Sequence, residues 1–243
     1  MTAILEVKAL CKKYPAFQLD HVSFSVEQGM IMGLIGRNGA GKTTTMKSML
    51  DLVHPDAGDV LFFGESIREK GNEIRQKIGY ASGANQFYIR KKIRDITAMT
   101  RAFYDNWDDA EYQKFIKMFG LDEDKKLMEL SEGMKVKYSL TTALSHHAQL
   151  LILDEPTSGL DPVSREELLE IFQYLAKQET AILFSTHITS DLEKCADAIT
   201  YLQRGSVIAS KAYQDFLKDY PQQHSLEDIM VHLERKPMEF DQE

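Results

Sequence analysis

Apolar and polar residues alternate through AILEVKAL near the start of the chain and again through HVSFSV. That is the period of strands with one buried face. After the short turn EQG the alternation gives way to a continuous apolar run, MIMGLI, which predicts a strand covered on both sides. VLFFG, LLILD, AILFST and AITYLQ are further strand candidates. HPDAGD, between Leu52 and VLFFG, has the Pro and Gly of a turn. Helical patterns run from about Lys42 to Leu52, through PVSREELLEIFQYLAK and through SDLEKCAD. In the second half strand and helix therefore alternate, which predicts a mainly parallel sheet with helices on its faces.

The middle of the chain reads differently. No proline occurs between Ile93 and His147, and apolar residues recur at helical spacing, with Phe115, Ile116 and Phe119 ahead of a stop at Gly120. Asp108 is placed to cap a helix. We read residues 84–131 as a helical insert between two parts of a core, 1–83 and 132–210. A tail follows over 211–243, with YQDFLKDY and LEDIMVHLE as helices.

Composition narrows the class. The chain has 243 residues, 43% hydrophobic and 27% charged, which suits a soluble globular protein with a substantial core. A formal charge of −8 argues against a nucleic-acid-gripping surface. Cys11 and Cys195 are far apart and form no CxxC, so a zinc site is not expected and a reducing compartment is. No apolar run reaches the ~18–20 residues of a membrane span, and the N-terminus lacks the basic start of a signal peptide. The expected location is the cytoplasm, with any membrane role supplied through a partner.

Chemistry concentrates in a few places. GRNGAGKT, Gly36 to Thr43, fits G-x-x-x-x-G-K-[ST] between an apolar strand and a helix. Gly36, Asn38, Gly39, Ala40, Gly41 and the following Thr43 and Thr44 would wrap backbone N–H groups around phosphates. Lys42 would meet the β- and γ-phosphates, and the Thr43 hydroxyl a Mg²⁺ ion. LLILDEP delivers two carboxylates to the C-terminal end of a strand, where α/β sheets hold ligands. Asp154 can hold the metal through water, and Glu155 can polarise an attacking water. His187 ends LFSTH and can bond the γ-phosphate and hold that water. Tyr14 lies between two early strands, where its ring either stacks on a purine or packs in the core. His146 and His147 diverge by about 100° on a helix and make no metal pair. The RKK run at Arg90–Lys92 suits either a membrane-side partner contact or a solvated loop.

One stretch does not fit a single nucleotide site. LSEGM, Leu130–Met134, looks like a second phosphate-binding helix start, far downstream of the first. The ordered set GRNGAGKT, LSEGM, LILDEP, SGLD and STH resembles the nucleotide-binding subunits of ATP-binding-cassette transporters, over essentially the whole chain to about residue 210. It looks most like the single-domain ATPases of bacterial exporters whose permease is a separate polypeptide. The resemblance implies a P-loop NTPase core, an antiparallel β subdomain and an inserted α-helical subdomain, with ATP and Mg²⁺ as cofactors. It implies head-to-tail pairing of two ATPase protomers, so that Ser131 and Gly133 of one complete the γ-phosphate site of the other, and it counts Asp161 of SGLD with the nucleotide site. It also implies a separate transmembrane permease, and hence peripheral attachment to the inner face of the membrane. A soluble ATP-dependent switch acting on ribosomes or DNA is the rival reading. The single cassette, without a long coiled coil or zinc insertion, weighs against it.

The chain departs from the family at one point. A glutamine is usual after IGYxP, where this sequence runs IGYASGANQF and places Gly83. Glycine offers no side chain to the metal, and Gln86 stands three residues on.

Overall fold

The structure is a computed structural model and describes residues 3–82 and 88–234. Gly83 and Gln86 lie outside the described residues. The first strands are β1 (Ala3–Tyr14), β2 (Phe17–Glu27) and β3 (Ile31–Ile35), followed by helix α1 (Lys42–Met49). Then come β4 (Ala57–Phe62), β5 (Glu65–Ser66), α2 (Ile67–Arg75) and β6 (Ile78–Ser82). The middle holds α3 (Ile93–Arg101), α4 (Asp109–Met118), a 3₁₀ turn at Leu127–Glu129, and α5 (Glu132–Ser145). The last part runs β7 (Leu150–Asp154), α6 (Pro162–Lys177), β8 (Ala181–Thr186), α7 (Thr189–Cys195), β9 (Ala198–Gln203), β10 (Ser206–Ala212), α8 (Tyr213–Lys218) and α9 (Leu226–Glu234).

Two sheets result. One is antiparallel, in the order β2-β1-β4-β5; the other has six strands in the order β10-β9-β3-β8-β7-β6. In the second sheet β9, β3, β8, β7 and β6 pair in parallel, and only β10 runs against its neighbour β9. The apolar runs are explained by burial on both faces. Ile31 and Ile35 of β3, Leu151 and Leu153 of β7, and Ile182 and Phe184 of β8 join one core with α4, α5 and α6. The alternate residues Met32 and Leu34, Leu150 and Ile152, and Ala181 and Leu183 join a second core with β1, β2 and α1. The α/β class, the mainly parallel sheet and the antiparallel one are as the sequence led us to expect.

Some elements differ from expectation. Helix α1 ends at Met49 rather than Leu52, because Asp51 turns left-handed at φ 56° and the next N–H groups fold back onto Lys47 O. The chain beyond Lys211 does not turn helical at once, since β10 continues through Ala212. Strand β6 and helix α2 were not anticipated.

A compact joint links the helical middle to the sheet. The His146 ring stacks on Tyr104 with centroids 3.7 Å apart and planes 7° from parallel. Its Nδ1 lies 3.0 Å from Gln76 O and must carry the proton to donate there. The Gln76 amide then donates to Phe103 O at 2.8 Å and accepts from Asp105 N at 3.0 Å. Asp108 N donates to Ser145 O at 2.7 Å, and the Asp108 carboxylate caps α4 through Ala110 N and Glu111 N. Burial holds the His146 imidazole below its usual pKa.

Candidate nucleotide-binding and hydrolysis site

The loop between β3 and α1 is shaped by glycines at two points. Gly36 sits at φ 152°, and a Cβ there would lie 2.2 Å from Leu202 O of β9. Gly41 is the residue before α1 at φ 112°, and a Cβ there would meet Leu19 Cδ2 and Phe17 Cζ at 2.7 Å. No side chain caps α1, so its first N–H groups are left to point at whatever occupies the loop. An open cavity of about 450 Å³ lies here, lined in part by Asn38, Gly39, Gly41, Lys42, Thr43 and Thr44. The same cavity reaches Glu155, Ser158 and His187.

Lys42 is 6% exposed, and its ammonium is paired with a carboxylate of the same site. It donates to Gly36 O at 2.8 Å and lies 3.2 Å from Glu155 Oε1. The other oxygen of Glu155 lies 2.8 Å from His187 Nδ1. Glu155 itself stands at φ 52°, an uncommon conformation for a residue with a Cβ, costing about 1–3 kcal/mol. That turn carries the carboxylate off the end of β7 and into the cavity. The backbone N–H of Glu155 is pinned by Ser185 Oγ at 2.9 Å, and the same hydroxyl donates to Asp154 Oδ1 at 2.7 Å.

Asp154 is buried, 6% exposed, and Thr43 Oγ1 also donates to its Oδ1, at 3.1 Å. A carboxylate and a hydroxyl facing each other beside a phosphate loop are hard oxygen donors, and they fit a Mg²⁺ ion completed by phosphate oxygens and waters.

The predicted residues divide into two groups. Lys42, Thr43, Asp154, Glu155 and His187 come together, with the glycine loop around them. Ala40 is buried beneath the loop. Ser131, Gly133 and Asp161 do not line this cavity. Ser131 caps α5, its Oγ accepting from Met134 N, and Gly133 packs against Leu160 and Ser164. Asp161 caps α6 through Val163 N and Ser164 N. The Ser164 hydroxyl, with the backbone bonds, holds the Asp161 carboxyl below the usual range. Tyr14 is also outside the lining. It pairs across the β1–β2 hairpin with Phe17, which does line it, and directly opposed residues project from the same face.

Sequence reasoning missed Phe17 and Ser185. The one signal for Ser185 was a hydroxyl two residues before His187 in an otherwise apolar strand. Away from this site, ligand atoms of Cys11, Asp20 and His21 approach within 4.8 Å of one another at the hairpin. There the His21 ring is already bonded to Asp20, and the Cys11 sulfur accepts from His21 N.

A glycine-wrapped phosphate loop, a buried lysine, a hydroxyl–carboxylate pair beside the loop and a carboxylate–histidine contact define a P-loop nucleotide hydrolase. The match can be made narrower. The model of the ABC transporter family fits residues 19–158. The bacitracin transport ATP-binding protein BcrA of Bacillus licheniformis is 34% identical over 212 residues, covering 86% of this chain and 69% of that protein. The Nod factor export ATP-binding protein I of Burkholderia orbicola (strain AU 1054) is 35% identical over 200 residues, covering 80% of this chain and 66% of that protein. A solved ATP-binding subunit of an ABC transporter superposes with a TM-score of 0.85 at 29% identity, covering 96% of this chain and all, 100%, of that one. The chain belongs to the ABC transporter family and is an ATP-binding, ATP-hydrolysing transporter subunit.

Proposed function

We propose that this subunit hydrolyses Mg-ATP at the Lys42–Glu155–His187 cluster and drives an exporter through a membrane-embedded partner. The observation that carries the reading is the Glu155 carboxylate held between Lys42 and His187. Lys42 and the N–H groups at the start of α1 bind the phosphates. Thr43 and Asp154 would hold Mg²⁺, which would supply positive charge to offset that of the phosphates. Glu155 accepts the proton of the attacking water, and His187 fixes both that carboxylate and the terminal phosphate. No described helix is long and apolar enough to cross a membrane. The membrane-embedded partner is supported by relatives that are ATP-binding proteins of transport systems.

Export as the direction of transport is supported by relatives whose names specify bacitracin transport and Nod factor export. The helix start at Ser131 stands apart from the phosphate loop of its own chain. That supports a head-to-tail pair in which the partner's copy of this helix closes each site. The test is ATP turnover by the purified chain against Mg²⁺ concentration, together with recovery from detergent-solubilised membranes. Mg-dependent turnover and co-purification with a multi-spanning protein are expected. Turnover without divalent metal, or recovery only on ribosomes or DNA, overturns the reading.

A further inference from the structure

Two buried polar residues, Asp191 and Thr157, and the half-buried Arg165 meet beside this site in a loose ion pair, with no hydrogen bond between them. Asp191, in the first turn of α7, is 1% exposed, and neither of its carboxylate oxygens has a hydrogen-bond partner. Arg165 of α6 reaches toward it, with Nε 3.9 Å from Asp191 Oδ1 and itself unbonded. Thr157, fully buried, faces the same carboxylate, and its hydroxyl is likewise unbonded. Unmet buried polar groups are rare, because each costs about 1–3 kcal/mol. Four such atoms in one place describe an arrangement poised short of closure.

Thr157 and Asp191 lie on the segments that carry Glu155 and His187, and Arg165 lies on α6, the helix that follows the first of them. Thr157 follows Glu155 by two positions in the turn after β7, and Ser158 N bonds back to Glu155 O within that turn. Arg165 sits one turn inside α6, its N–H bonded to Asp161 O. Asp191 is four residues beyond His187. Around this pocket, α6 and α7 are already tied on the outside by the Lys194–Glu166 ion pair and by Gln173 Nε2 on Lys194 O. The inner Arg165–Asp191 contact is longer than either of these. Burial raises the Asp191 carboxyl above the usual range, while Thr157 and Arg165 pull it back.

We propose that Asp191, Arg165 and Thr157 form a two-position clasp, open here and closed in the hydrolytic state, that sets the His187-bearing segment against the Glu155-bearing turn. A shift of about 1 Å brings Arg165 from its present distance to that of a charge-assisted bond. Closure draws α7 toward α6 and the turn between β7 and α6, and so fixes the His187–Glu155 contact from behind. All three act as positioning residues and touch no substrate. The binding loop at Gly36–Thr44 is not part of the clasp, so nucleotide affinity is outside its reach.

The inference rests on Glu155 and His187 acting as the hydrolytic pair. The experiment therefore compares Asp191→Asn, Arg165→Gln, their double variant and Glu155→Gln in the full chain, by ATP turnover and thermal melting. Expected is a fall in kcat of tenfold or more for each single clasp variant, with KM for ATP within twofold and melting within about 3 °C of the parent. The double variant should be no slower than the slower single, since both remove one interaction. Should Asp191→Asn fail to fold, Arg165→Lys, which keeps the charge and loses the Nε donor, carries the same expectation. Clasp variants within twofold of the parent in kcat, losses that multiply in the double variant, or losses that track lowered melting overturn the clasp. If Glu155→Gln turns over normally, the reading of the site fails instead.

Discussion

His187 Nδ1 lies 2.8 Å from Glu155 Oε2, so the ring and the carboxylate are already engaged with each other across the ends of two parallel strands. Glu155→Gln keeps the shape and removes the charge that the proposed mechanism uses to take the water proton. ATP should still bind, because Lys42 and the loop are untouched, while turnover falls by two orders of magnitude or more. The trapped protein should elute as a dimer with ATP on size exclusion. Turnover within about twofold of the parent, under ~0.5 kcal/mol of barrier, would remove Glu155 from the reaction.

Sharing of sites between protomers is tested by mixing. Ser131→Arg spoils the helix start of one chain, and Lys42→Ala the phosphate loop of another. Each variant alone should be inactive. Verified heterodimers should recover partial ATPase activity, because they contain one loop and one helix start that are both intact. Heterodimers with no activity would show that the two elements do not meet across an interface.

The hairpin offers two rings on one face, and their roles separate by substitution. Tyr14→Ala should raise the Kd for ATP by about fivefold to thirtyfold, the loss of about 1–2 kcal/mol of base stacking, while Tyr14→Phe binds as the parent does. Phe17 packs against the Gly41 position and should matter less for the base. Fluorescence titration with a nucleotide analogue decides it. Normal binding by Tyr14→Ala with weakened binding by Phe17→Ala would assign the stacking ring to Phe17.

The joint at His146 gives a pH dependence with a definite sign. Its folded-state pKa is depressed by burial, so the unfolded chain binds the proton more readily. Stability from this group is present above the ordinary histidine value of about 6.5 and is lost as pH falls below it. Melting should drop between pH 7.5 and 5.5, and the drop should shrink in His146→Phe. That variant keeps the stack on Tyr104 but leaves Gln76 O unbonded, so at pH 7.5 it should lose about 1–3 kcal/mol, a few degrees of melting. An unchanged pH slope would show that another group sets it.

By the sequence pattern, Gly83 takes the place of a glutamine usual in the family. Gly83→Gln should change the Mg²⁺ dependence of turnover, or its coupling to the membrane partner, more than it changes ATP binding. A Mg²⁺ titration of both proteins reads this directly. A Mg-nucleotide complex with Gln86 on the metal would show that the ligand has moved along the loop and that the position is not vacant.

How much of this was legible follows from what each residue spends its side chain on. β7 and β8 stood out because both of their faces are covered, which leaves no polar residue until the strand ends. Helix α6 was legible from PVSREELLEIFQYLAK, which is the helix observed, while the capping role of Asp161 was not. No residue of β10 is fully buried, and Ser206, Ser210 and Lys211 bound its short apolar stretch Val207–Ala209, which is too brief to recognise as a strand. Helix α2 contains Gly71 and a kink at Lys70, which mask its periodicity. The phosphate loop and the carboxylates were readable because their chemistry needs fixed residue types at fixed spacing. Asp191, Arg165 and Thr157 were not, since a polar residue in a helix or turn looks solvated until three segments are folded over it.

Helix α5 has consequences beyond packing. It is one unbroken run of 14 residues, about 21 Å long, with the Ser131 cap at one end and His146 stacked on Tyr104 just past the other. Such a rod behaves as a lever with its fulcrum at the Gln76 joint. Any tilt that carries the serine end outward must unstack the ring or drag the loop between α3 and α4 with it. The Ser131 cap and the knuckle that joins the helical middle to the sheet are thus opposite ends of one rigid element.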